Sequence, residues 1–175
     1  NSEVEAGSAS NPSIWLMGIE HGTYSRDSQD EDRTGHKNYS IALQRRWPYN
    51  QKAFKLLAEI DPGYGLEEWV RFAEDKQPFV SGTTGYFKGN LFPYACHNAS
   101  SWTDKAIKDT GFNTKNEYFR WCRVYRLPVV ASWINKYKPK IIIGVGIGHR
   151  DDFSLATFGE NLMMTEHRIL ESHKQ

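Results

Sequence analysis

The chain has 175 residues, with 22 Lys and Arg against 21 Asp and Glu and a formal charge of +1. That balance excludes global electrostatic steering toward nucleic acid or a membrane surface, so a polyanion would have to be met by a local patch. Two cysteines, Cys96 and Cys122, are too few for a disulfide framework or a cysteine-ligated cluster, and no apolar run reaches the length of a membrane span. Residues 1–12 are polar and read as a flexible end, and the remainder predicts one soluble, cytoplasmic domain whose core draws on six Trp, nine Tyr and nine Phe.

In chain order, the apolar run Ile14, Trp15, Leu16 and Met17 ends at Gly18 and predicts a strand buried on both faces of a parallel sheet. Glu20, His21 and Gly22 follow at once, at the edge where ligands of such sheets collect. Residues 23–46 form a long polar segment with an acidic run at 27–32, of a length that is often functional. Pro48 suits the first turn of a helix whose apolar face is Ala53, Phe54, Leu56, Leu57 and Ile60, stopped by Asp61, Pro62 and Gly63. Leu66, Trp69, Val70 and Ala73 repeat the helical spacing. Residues 86–92 read as a strand closed by Pro93, and 94–102 as a loop. Thr114 and Glu117 make a capping box, which predicts a helix over 115–125, and Pro128 starts another that Pro139 ends. Residues 141–146 read as the clearest buried strand, 149–158 as a helix, and 168–170 as the start of a last strand. Strands separated by helices of this length predict a three-layer α/β/α sandwich around a mainly parallel four-stranded sheet.

Several chemistries are set aside on spacing. Gly144, Gly146 and Gly148 are spaced Gly-x-Gly-x-Gly rather than as a dinucleotide fingerprint, so a close strand-to-helix turn is their expected use, with phosphate binding at the helix start still open. Cys96, His97, His21 and His149 lack the tight spacings of a zinc site. Cys96 and His97 are adjacent and would point apart on an extended chain, which argues against a nucleophile pair. No metal and no cofactor are expected. Arg120, Arg123 and Arg126 interleave with Trp121 and Tyr125, a pattern that fits either a phosphate- and base-holding surface or a solvated helix face.

Taken together, the strand ends resemble the uracil-DNA glycosylase superfamily. Its first motif closes the first strand with sequences such as Gly-Gln-Asp-Pro-Tyr or Gly-Ile-Asn-Pro-Gly, and here Gly18, Ile19, Glu20, His21 and Gly22 have the same length, with His21 in place of the usual Pro. The resemblance puts Glu20 at the water-positioning Asp or Asn, Tyr49 or the neighbouring Trp47 at the aromatic residue that stacks on the flipped base, and Asn90 at the Asn that reads the base edge. Lys138, Pro139 and the apolar run after them are similar to the penultimate strand. The last motif, His-Pro-Ser, has only His173 as a match, without the Pro and Ser.

The resemblance implies a glycosylase that hydrolyses the N-glycosidic bond of a damaged base such as uracil. Glu20, His21 and His173 are then the candidate catalytic residues, with Gly18, Gly22, Tyr49, Trp47 and Asn90 holding the base. Physically the set is coherent, because extrusion of a base costs a few kcal/mol and must be repaid by grip on its edge and face. An Asn amide offers one donor and one acceptor edge, and a carboxylate stabilises the positive charge that develops on the sugar. DNA, single-stranded or damaged, is the expected partner, its phosphates met by Lys88, Arg120, Arg123 and Arg126. The competing expectations are a non-catalytic relative that binds nucleic acid or a nucleotide in the same cleft, and an interaction protein that keeps only the fold. A carboxylate kept for chemistry should not be arranged for stability, so Glu20→Gln is expected to leave the melting temperature unchanged or raised.

Overall fold

Ile14, Trp15, Leu16 and Met17 bring no polar side chain with them, and a run of this kind is suited to the middle of a sheet. The computed structural model describes residues 3–22, 40–98 and 100–159. Strand β1, Ile14–Gly22, lies between β2, Tyr86–Cys96, and β3, Ile141–Gly144, and both pairings are parallel. Ile14 stands opposite Tyr86 on one side and Ile141 on the other. The helices are α1 Glu3–Ala6, α2 Ile41–Gln44, α3 Pro48–Ile60, α4 Trp69–Lys76, α5 Asp104–Thr110, α6 Lys115–Trp121, α7 Leu127–Tyr137 and α8 Arg150–Phe158.

Alternation along the strands divides the core in two. Trp15, Met17 and Phe87 pack with α6, α7 and α8, whereas Ile14, Leu16 and Tyr86 pack with α3 and α4. Helices therefore cover both faces of a parallel sheet, an α/β arrangement. Trp15, Phe54, Leu57 and Phe72 are wholly buried, and each side chain of this size contributes about 1.5–3 kcal/mol when taken out of water. No helix among the described residues is long and apolar enough to cross a membrane.

Several expectations need correction. Among the described residues the sheet has three strands rather than four, and the expected fourth at 168–170 lies outside them. The strand at 141–146 is shorter and more open than its sequence suggests, with Ile141 at 45% and Val145 at 38% exposure, because β3 has only one strand neighbour among the described residues. Pro93 does not close β2, which runs on to Cys96: among the described residues β2 is an edge strand, and Pro93 falls in its bulge, where proline is tolerated. Leu56 and Ile60 are exposed, and Ala58 takes their place on the buried side of α3. Residues 3–12 do not read as a loose end: Glu5 is buried and accepts from Gly82 N at 3.0 Å, and the Trp15 indole donates to Ala6 O at 2.9 Å.

The helix expected over 115–125 is instead α6 followed by a wide turn, Cys122–Arg126, in which Leu127 N donates five residues back to Cys122 O. Pro128 lacks an N–H and would crowd the carbonyl four residues before it, and the wider turn relieves both. At the other end of the chain, the glycines after β3 serve close packing. A Cβ on Gly144 would stand 3.1 Å from the Phe153 ring, and one on Gly146, whose φ is +127°, would overlap the Ile19 side chain. Gly146→Ala is therefore expected to lower stability by about 1–3 kcal/mol in urea unfolding, through strained backbone and the clash together. Gly148→Ala, with open space around its Cβ, should change stability by less than about 0.5 kcal/mol.

Candidate functional site

Three residues from separate segments meet at Gly18. Its strand partner on β2 is Asn90, and a Cβ added at Gly18 would stand 2.5 Å from Asn90 Oδ1 and 3.5 Å from Tyr49 Oη. Tyr49 reaches this point from the first turn of α3, where Pro48 is held at the helix start. Its surface is 38% exposed, yet burial pushes its hydroxyl up to about 12, so the hydroxyl keeps its proton at neutral pH. Lys88, two residues before Asn90 on the same strand, donates to the buried Asn50 Oδ1 at 2.9 Å and lies 5.0 Å from the centre of the Tyr49 ring. Glycine at 18 thus lets the Asn90 amide and the Tyr49 hydroxyl close in on the strand, beside an aromatic ring backed by a cation. Of the two aromatic candidates, it is Tyr49 that stands here; Trp47, half-buried, occupies the cap position before α3.

Two residues further along β1 the sheet edge opens. Glu20 pairs with Phe92 and Gly22 with Cys96, so β2 bulges outward by two residues between them. Lys115 Nζ stands 2.9 Å from one Glu20 carboxylate oxygen and 2.8 Å from the other, donates to Asn98 O at 3.2 Å, and lies 5.4 Å from the centre of the Phe119 ring. Both side chains are 9% exposed. Cys96 is buried beside the pair; burial pushes its thiol up, with the Glu20 charge adding to the effect, so it is protonated and unsuited to nucleophilic attack.

A third cluster follows β3. His149 Nδ1 is 2.9 Å from Asp152 Oδ2, and the Arg123 guanidinium holds the same carboxylate through Nε at 2.6 Å and a second nitrogen at 3.0 Å. Asp152 is buried; burial alone would push its carboxyl up, but Arg123 and His149 together hold it below its ordinary value. The His149 ring packs edge-on to Phe92 and to Phe119, each 5.7 Å away. Arg123, Gly148, His149, Asp151, Asp152 and Leu155 line a cavity of about 300 Å³. In the sequence His149 reads only as a metal-ligand candidate, and Lys115 and Asp152 carry no site role. The signals were present: His149 and Asp152 are spaced three apart at a helix start, and Lys115 sits at a helix N-terminus, where the dipole disfavours a cation.

The remaining candidates are dispersed. His21 and Gly22 lie exposed at the end of β1, and His173 lies outside the described residues. The cationic surface expected from four residues does not form as one patch: Lys88 is bound to Asn50 beside the Tyr49 ring, Arg123 is bound to Asp152, and the Arg126 guanidinium lies 4.7 Å from the centre of the Trp133 ring, where burial pulls its pKa down. Arg120 is exposed on the last turn of α6. Among the described residues no group of three or more His, Cys, Asp or Glu side chains is placed to hold a metal ion.

The Glu20–Lys115 pair changes what a substitution there should do. Glu20→Gln leaves a buried ammonium without its counter-charge, so the mutant is expected to lose about 3–5 kcal/mol in urea unfolding, where the sequence alone suggested no loss. Replacing both residues, Glu20→Gln with Lys115→Met, should recover most of that. No protein-family model matches the chain, and no curated protein matches it.

Proposed function

We propose that the protein is a base-excision glycosylase of the uracil-DNA glycosylase type, which takes an extruded base into the space between Gly18, Tyr49 and Asn90 and hydrolyses its N-glycosidic bond. The observation that carries this reading is the convergence of those three residues on one point. A base edge can approach the backbone only where Cβ is missing, the Asn90 amide supplies a donor and an acceptor to a pyrimidine edge, and the Tyr49 ring offers a stacking face. Glu20 lies two residues further along β1, where a carboxylate would stabilise positive charge developing on the sugar. Lys115 fixes its orientation. DNA phosphates would meet Arg120 and the outer edge of Arg123 rather than the four cations taken together.

A second reading, binding of the base without cleavage, is favoured by the same Lys115. A carboxylate whose charge is already matched by an ammonium has less to offer a developing cation. Both readings keep the pocket and differ in the fate of the bond.

The test is incubation with single- and double-stranded oligonucleotides containing uracil, scored for base release and, separately, for binding across a salt series. The enzyme reading expects release of free base together with binding that weakens steeply with salt. Binding without release supports the second reading, and neither release nor salt-sensitive binding removes both. Gly18→Ala is expected to cut binding at least about tenfold by turning the Asn90 amide aside, while stability shifts by no more than about 1 kcal/mol because only a side-chain end must move.

A further inference from the structure

His149 sits on the ring of Phe92, the residue paired directly with Glu20 across the strands, and so shares the carboxyl edge of the sheet with the proposed cleavage site. Asp152, held below its ordinary carboxyl range and gripped by Arg123 through two nitrogens, is ionised at neutral pH and can only accept hydrogen bonds. The proton between it and His149 must therefore belong to Nδ1. The other ring nitrogen, Nε2, is left with its lone pair, and none of the described residues hydrogen-bonds it. The ring is one-fifth exposed and lines the cavity of about 300 Å³. A histidine held by a carboxylate in this tautomer is a base with its lone pair directed away from its holder, and fixing that tautomer is what such a carboxylate does.

We propose that His149 is the general base of the glycosylase reaction, with Asp152 as its positioning residue and Arg123 holding Asp152 in place. The assignment rests on the function proposed above. In the step it serves, a water oxygen bonds to the anomeric carbon as the carbon–nitrogen bond breaks. The water proton goes to His149 Nε2, the electron pair of the broken bond leaves with the base, and the departing base later takes a proton from solvent or from His149. Glu20 stays ionised throughout and stabilises the cationic sugar. The charged groups around His149 are Asp152 and Asp151 on α8, Arg123 from the turn after α6, and Arg150, which pairs with Asp151. From β2 and α6 it meets only the Phe92 and Phe119 rings. The base form of His149 is the one that serves, so the wild-type rate should carry an acid limb that a variant without the ring lacks.

The experiment combines single-turnover base release from uracil-containing DNA, measured across the histidine titration range, with long-range nitrogen–proton NMR of the histidine ring. It uses the wild-type chain, His149→Gln and Asp152→Asn. The expected result is an Nδ1–H tautomer for His149 in the wild type, a base-release rate about 10²–10⁴-fold lower in His149→Gln with the acid limb of the pH profile gone, and binding of the oligonucleotide kept within threefold. Asp152→Asn, whose amide can donate to Nδ1, should convert the ring to the Nε2–H tautomer and lower the rate with it. If Asp152→Asn fails to fold because Arg123 loses its counter-charge, His149→Gln and the wild-type tautomer still decide the matter. An Nε2–H tautomer in the wild type overturns the assignment, as does a His149→Gln rate within threefold of wild type with the acid limb intact; both leave the glycosylase reading standing. Wild-type protein that releases no base overturns the reading and this assignment together.

Discussion

A strand with neighbours on both edges and helices on both faces has no room for a polar side chain until the covering ends. β1 obeys this limit closely. Ile14 to Gly18 are buried, Ile19 and Glu20 are half-covered, and His21 and Gly22 are exposed. The point at which burial gives way is set by the bulge in β2 opposite Glu20 and by the close turn after β3, whose Gly146 abuts Ile19. Chemistry-bearing residues from two strands and three helices are thereby confined to one short margin of the sheet. What the margin holds follows from which neighbours are small enough to let it open.

The charges at that margin are handled in two ways. Glu20 and Lys115 are nearly covered and depend on one another, since a carboxylate or ammonium left alone there would carry a desolvation cost of several kcal/mol. Asp152 is as well covered but is gripped by a planar guanidinium through two nitrogens, a geometry that a lysine cannot reproduce. The first arrangement fixes a carboxylate and balances its charge. The second fixes a carboxylate and passes its influence to a histidine. Phe92 and Phe119, stacked 4.1 Å apart, touch both clusters: Lys115 lies over the Phe119 ring, and His149 stands edge-on to both rings.

Much of the scaffold is written locally. The apolar run of β1, the Pro48 helix start, the Thr114–Glu117 capping box and the tight glycine turn after β3 each depend on residues close in sequence, and each is found where its pattern places it. Strand ends were harder to read. Glu20, His21 and Gly22 are polar or small and look like a turn, yet they continue β1 because β2 continues beside them, and Pro93 looks like a terminator unless the strand is known to be an edge. The partner of Glu20 lies 95 residues away, and nothing in the spacing of either residue announces the pairing. The convergence of Gly18, Tyr49 and Asn90 came from a resemblance of motifs rather than from periodicity. A different limit applies to β3, whose isoleucines carry the same pattern as a buried strand while Ile141 stands open to solvent.

The wide turn at Cys122–Arg126 acts as a phase shift in the helix that carries it. Before it the buried positions are Tyr118, Phe119 and Cys122; after it they are Leu127 and Val130, so the step from Cys122 to the next core residue is five where an unbroken helix would take four. Were the same residues wound as ordinary α-helix, everything downstream would turn by about 100°. Arg126 would then enter the apolar core and Leu127 would leave it. The same shift lets one helix present Arg123 to Asp152 on α8 while its flanking turns both face the sheet. Loss of a single residue between 122 and 126 would therefore let the helix close to an ordinary step of four from Cys122 to the next core residue, so that the helix shortens while its downstream core face keeps its phase.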